Sequence, residues 1–287
     1  MTDFEPGTAT DPCTGPSAVG ALHAVMALIL AGSGPMCGRY ALAKDPADLA
    51  EEFDARDETG GQAVGPEYNV APTLTVPAVV DRHPRDDDGK PDPSTVERSL
   101  RAMRWGLVPS WAKDLAVGNK MINARAESLT EKPAFRRAAA SRRCLIPADG
   151  WYEWLRDGKQ KTPYFMSYDD GGSLALAGLW ETWRPAKGEA PLISTAVVTT
   201  ASAGVLTEIH HRMPLVLPRD RWQAWLDPDR EAIDDLLAPS EEVLAAIGMR
   251  QVSSKVNNVR HHGAELIEEA HEEPEQQGLD LEAVNPS

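Results

Sequence analysis

From residue 143 to residue 217 the chain reads as strand after strand, with almost nothing between them. Segments 143–146, 151–156, 163–168, 173–179, 191–199 and 214–217 are rich in apolar, β-branched and aromatic residues and are separated by short polar breaks. Asp157-Gly158 and Asp170-Gly171-Gly172 carry the chemistry of hairpin turns. Two further strand patterns, 74–81 and 96–104, flank a polar, proline-rich loop at 82–94. Consecutive strands joined by tight turns cannot build a parallel sheet, which needs long crossovers. The expected class is therefore α+β: an antiparallel β-barrel-like core with peripheral helices. Asp45-Pro46 followed by Leu49 and Phe53 predicts a short capped helix. Helical periodicity returns at 219–226, 229–237 and 240–248.

The 287 residues divide unevenly. Residues 1–35 hold three acids and no Lys or Arg, with one apolar run at 18–31. That run is short for a membrane span and lacks the basic flank of a secretory signal. We expect residues 1–35 to be a disordered leader, or sequence upstream of the true start, absent from the mature protein. Residues 36–271 are expected to form one domain, and 272–287 an acidic disordered tail. Net charge is −15, but the acids concentrate in the two terminal segments, and residues 36–262 carry only −4. A basic groove is compatible with that balance, because binding follows the local field. Cys13, Cys37 and Cys144 give neither a disulfide framework nor a CxxC metal pair. The histidines make no zinc-ligand spacing with them. No metal and no cofactor is expected.

The chemistry concentrates in short blocks. Met36-Cys37-Gly38-Arg39-Tyr40 places a cysteine directly after a methionine. If Met36 is removed, Cys37 carries an α-amine and a thiol on adjacent carbons, with ordinary pKa values near ~8 and ~8.5. Such an aminothiol captures an aldehyde twice, first as a Schiff base and then as a five-membered thiazolidine. An internal cysteine cannot, because its nitrogen is an amide. The other blocks are Tyr68-Asn69-Val70-Ala71-Pro72-Thr73, Arg104-Trp105-Gly106-Leu107-Val108-Pro109-Ser110-Trp111, Asn123-Ala124-Arg125-Ala126-Glu127, Pro147-Ala148-Asp149-Gly150-Trp151-Tyr152-Glu153-Trp154 and Ile209-His210-His211-Arg212-Met213-Pro214. Glu153 lies among aromatic residues, which suggests burial and a raised pKa. On a strand, His210 and His211 would face opposite ways.

Together these six ordered blocks resemble the signature of the SOS response-associated peptidase (SRAP) family, over roughly 36–271. Each block alone is weak; their order is the specific signal. The resemblance implies a sensor of abasic sites in single-stranded DNA that forms a reversible covalent adduct through Cys37; the unpaired cysteines point to the cytoplasm, and a monomer is expected. It also implies exposure of Cys37 by removal of Met36 or by autoproteolysis. It implies that Asn123 orients the Cys37 amine, that Glu153 moves protons, and that His210 assists opening of the sugar ring. Arg39, Arg125 and Arg212 would hold phosphates. Trp105 and Trp111, with Asn69 and Pro72, would border the DNA groove. Two other classes compete. One is a thiol peptidase or N-terminal-nucleophile amidohydrolase using Cys37, Glu153 and His210. The other is a non-catalytic single-strand binding module, which would give salt-labile binding and no covalent product.

Overall fold

A computed structural model of the chain describes residues 37–185 and 189–270. The expectations for residues 1–35 and for the tail 272–287 lie outside the described residues.

Thirteen strands are named here: β1 (Tyr40–Leu42), β2 (Arg56–Asp57), β3 (Glu67–Val70), β4 (Thr75–Arg82), β5 (Glu97–Trp105), β6 (Asn123–Arg125), β7 (Arg143–Ala148), β8 (Gly150–Asp157), β9 (Gln160–Tyr168), β10 (Leu174–Trp183), β11 (Leu192–Ala201), β12 (Arg212–Pro214) and β13 (Ile247–Gln251). One sheet has the order β13-β9-β8-β1-β3. The other runs β12-β11-β10-β7-β4-β5-β2, with β6 also on β11. A pairing of β5 with β11 bends this second sheet into a ring of β11, β10, β7, β4 and β5. The α+β, barrel-like expectation therefore holds. It was incomplete in one respect: β11 runs parallel to β5 and β6, and β2 runs parallel to β5. The long intervening chain supplies the crossovers these parallel contacts need.

The Asp157-Gly158 turn closes the β8–β9 hairpin, with Gly158 at φ +55. Asp170-Gly171-Gly172 is a correction. It is a tight turn, but β9 and β10 belong to different sheets, so no hairpin forms there. Two helical expectations also change. The helix Pro46–Glu52 forms, capped by Asp45, and Arg219–Leu226 forms as expected. Residues 229–237 instead give one 3-10 turn, Asp234–Leu236, just long enough to sink Ile233 and Leu236 into the core. The helix Glu241–Ala246 stops early because the chain switches to β13 and pairs antiparallel with β9. There the open sheet edge outweighs helical periodicity.

The chain passes from the ring to the five-stranded sheet in two residues, Asp149 and Gly150. The Asp149 amide donates to the Ala41 carbonyl at 2.8 Å, and its carboxylate accepts from the Ala43 amide at 2.5 Å. A Cβ at Gly150 would meet the Met166 carbonyl oxygen at 2.3 Å, so only glycine fits this corner. A second close approach joins Gly106 to Gly118, backbone to backbone. The core is heavy with tryptophan: Trp105, Trp151 and Trp225 are fully buried, and Trp180, Trp183 and Trp222 nearly so.

Candidate active site

The site grows from the corner just described. Past Gly150, β8 pairs with β1 through Tyr40↔Trp151, and the Tyr152 amide donates to the Arg39 carbonyl at 3.0 Å. Continuing that antiparallel register backward along the chain sets Gly38 and Cys37 alongside Glu153. Alternation along β8 turns Glu153 to the same side as Trp151, into the principal core.

Cys37 and Glu153 are both buried, at 4% and 3% exposure. The Cys37 backbone nitrogen donates to Glu153 Oε1 at 2.8 Å, and the Cys37 thiol bonds the same carboxyl. Burial pushes the Glu153 carboxyl up to about 7, and the two hydrogen bonds from Cys37 pull the other way. It thus titrates near neutrality, where a group can both give and take a proton. Burial, the neighbouring Glu153 charge and its hydrogen bond raise the Cys37 thiol well above its ordinary value, partly offset by Arg212. A resident thiolate is not what this pocket stabilises. Cys37 also sits at φ +41, a conformation that non-glycine residues adopt at some cost.

Arg212 opens β12 and is buried. Its fork grips Glu127 Oε1 and Oε2 and the Thr199 carbonyl. His210 precedes that strand. Its Nδ1 lies 3.2 Å from both the amide nitrogen and the carbonyl oxygen of Arg212, so one tautomer accepts from the amide and the other donates to the carbonyl. Burial lowers its pKa. The expectation that His210 and His211 face opposite ways is corrected: both lie before β12, off the strand, and their rings are 4.4 Å apart. His211 is exposed and His210 half-buried. Asn123 begins β6 beside Val197, and Arg125, exposed, pairs with Thr199. Val197–Thr199 of β11 is thus the shelf that brings Asn123, Arg125 and Arg212 together.

Two residues expected to border a DNA groove, Trp105 and Asn69, and one expected to hold a phosphate, Arg212, are placed otherwise. Trp105 is 1% exposed, donates to the Ile122 carbonyl at 3.0 Å and packs on Tyr40. Its ring is core and offers no face to a base. Asn69 is buried, and its side-chain nitrogen donates to the carbonyls of Val256, Asn258 and His261. Arg212 is an internal tie to Glu127 rather than a surface hook. Trp111, in contrast, is 60% exposed, and Pro72 is half-buried. Arg39 is half-buried; it bonds Asn69 Oδ1 at 3.0 Å and the carbonyls of Val256 and Asn257, and lies 5.6 Å over the Trp154 ring.

Sequence reasoning missed two partners. Glu127 stood in a quoted block, and a carboxylate two residues after Arg125 was a usable signal for a buried guanidinium. The carbonyls of residues 256–261 left none, because any residue carries a carbonyl. Among the described residues, no group of three or more His, Cys, Asp or Glu converges on a point that could hold a metal. No helix among them is long and apolar enough to cross a membrane.

A family model described as SOS response associated peptidase (SRAP) matches residues 36–259. The chain is 39% identical over 237 residues to the abasic site processing protein YoaM of Bacillus subtilis, which covers 81% of this chain and 98% of that protein. It is 31% identical over 270 residues to the abasic site processing protein HMCES of Xenopus tropicalis, covering 81% and 78%. A crystal structure of a protein from Bacteroides thetaiotaomicron shares the fold with a TM-score of 0.67 at 21% identity, covering 82% of this chain and all of that one. The chain belongs to the SRAP family.

Proposed function

We propose that this protein processes abasic sites in DNA, and that it does so by capturing the lesion covalently on Cys37 once Met36 has been removed. One observation carries the reading: the Cys37 nitrogen lies 2.8 Å from a buried carboxyl that titrates near 7. The names of YoaM and HMCES support the substrate class.

An abasic deoxyribose is mostly a closed hemiacetal. His210 would carry the proton from the C1′ hydroxyl to the ring oxygen, which opens the ring to the aldehyde and leaves the imidazole as it began. The free Cys37 amine adds to C1′ and gives a carbinolamine. Protonated Glu153 delivers a proton to the leaving hydroxyl, water departs, and the Schiff base forms. The thiol then adds to the same carbon. Glu153, now a carboxylate, takes the thiol proton, and the nitrogen ends as the secondary amine of a thiazolidine. Aldehyde and aminothiol lose one water in all. Because the thiol is held protonated, ring closure depends on that carboxylate. Both nucleophiles sit beside one carbon, so the second step is intramolecular. Asn123 would orient the amine, Arg39 and Arg125 would lie along the phosphates, and Trp111 would stack on a base. The protein would act as a monomer, in the cytoplasm, on single-stranded DNA.

The test mixes protein beginning at Cys37 with a single-stranded oligonucleotide carrying one abasic site. A heat-stable shifted band is expected, and Cys37→Ser should abolish it. A full-strength band from the Cys37→Ser protein would sink the reading. The competing thiol peptidase is disfavoured by the raised thiol pKa and by its partner, a carboxyl rather than an imidazole.

A further inference from the structure

The arginines of the ring are unevenly spread. A cleft of about 610 Å³ on the wall formed by β4, β7 and β10 is lined by Arg82, Arg85, Arg142 and Arg184, with Asp81 as its one carboxylate. Asp81 is already engaged, since Arg98 forks onto both its oxygens at 2.8 and 3.0 Å. Arg142 shares its charge with Glu181. Among the described residues, Arg82, Arg85 and Arg184 enter no ion pair. Three uncompensated cations thus face one cleft, in a domain whose central part is net negative.

The arrangement is held in place. Arg82 lies 5.0 Å and Arg142 5.7 Å from the centre of the Trp180 ring. That ring is 6% exposed, so it is a pedestal for guanidiniums and not a platform for a base. Burial first, and then the charges of Arg101, Arg85 and Arg142, lower the pKa of Arg82. Glu58 attracts it from the adjoining cleft, where Arg56 and Arg101 already bind that glutamate. Like charges pressed together this way are relieved by an anion. Guanidinium forks match phosphate oxygens two at a time, and the Ser141 and Thr182 hydroxyls line the same cleft.

The sheet register locates the cleft. Asn123 stands beside Val197 on β11, and Val197 beside Gly178 on β10. Thr182 is four residues further along β10, and β7 is one strand further round. At about 3.3 Å per residue and about 4.8 Å per strand, the cleft lies about 20 Å from Asn123.

We propose that this cleft is a second phosphate-binding site, filled by the backbone of the same DNA strand whose lesion reaches Cys37. The inference rests on the function proposed above. The cleft offers charge and hydroxyls and no open ring face, so it would grip phosphodiesters without reading sequence. Its role is to lengthen the footprint from the lesion to several flanking nucleotides.

The test is an Arg85→Ala/Arg184→Ala double variant of the full chain; both residues are exposed and outside the ion pairs of the described residues, and the one hydrogen bond lost, from Arg85 to the Gly89 carbonyl, lies within a surface loop, so the fold should tolerate the change. Binding of lesion-free single strands of about five and about fifteen nucleotides is measured across a salt series. The wild-type protein should bind the long strand at least about tenfold more tightly than the short one. The variant should lose most of that advantage, and its slope of log K against log salt for the long strand should fall by about 1.4, or about 0.7 per phosphate. Its binding of the short strand should not change. Unchanged affinity and slope for the long strand overturn the proposal, as does an equal loss on both lengths. A variant that keeps its long-strand binding but loses competition by inorganic pyrophosphate would assign the cleft to a small anion, and also overturns it. Failure of the wild-type protein to form an adduct would strike the earlier reading alone, because the lesion-free comparison needs no chemistry.

Discussion

Cys37 and Cys144 are both fully buried thiols in the same core, and burial raises the pKa of both, Cys144 to about 12. Their surroundings differ in kind. Cys144 stands mid-strand on β7, 3.3 Å from the Thr195 hydroxyl, and among the described residues no titratable group shifts its pKa. Cys37 stands at the head of the domain against a carboxyl poised near 7. Burial alone makes a thiol inert. What distinguishes Cys37 is a proton acceptor that shares its pocket and, in the function proposed above, a nitrogen freed as an amine by loss of Met36.

The largest expected break in that comparison is Cys37→Ser, which should remove covalent capture altogether, whereas Cys144→Ala should leave it intact. Gel shift on an abasic oligonucleotide decides between them. Next is Glu153→Gln, which should slow adduct formation by about 10²–10⁴-fold in single-turnover kinetics. In the native protein the rate should change across pH 7, with both carboxyl forms needed at successive steps. A profile flat from pH 6 to 8 would remove Glu153 from the mechanism.

The same residue gives a stability prediction of definite sign. Its folded pKa, about 7, lies above the unfolded value of about 4.3, so its contribution favours folding below about 4.5 and is lost as pH rises through 7. Glu153→Gln should therefore stabilise the protein at pH 8, by about 1–3 kcal/mol, and change little at pH 4.5; thermal melts at the two pH values test this. The smallest effect is expected from Trp111→Ala. It should weaken binding of undamaged single strands by about 1–3 kcal/mol and leave the melting temperature nearly unchanged.

Much of the fold was legible, because turn chemistry and alternation are local. The Asp157-Gly158 hairpin and the Asp45 cap are written in adjacent residues. The Asp170-Gly171-Gly172 turn looked the same, yet the strands it joins part to different sheets, and only distant pairing decides that. The site divides along the same line. Glu153 was readable from its aromatic neighbours. Trp105, Asn69 and Arg212 were assigned to DNA contact by the resemblance alone, which matches blocks and does not say which way a side chain faces. Whether such a residue faces out depends on partners many residues away, such as the Ile122 carbonyl, the 256–261 loop and Glu127. The two histidines were misjudged because strand alternation was applied one turn too early.

Arg39 is two residues from Cys37, and its guanidinium is tied to Asn69 and to the carbonyls of Val256 and Asn257. A copy of the protein shortened before Val256 would keep each reacting atom and lose the brace that sets where the first of them stands. Under the function proposed above, such truncated copies are expected to form adduct more slowly than the full chain, which single-turnover kinetics would show.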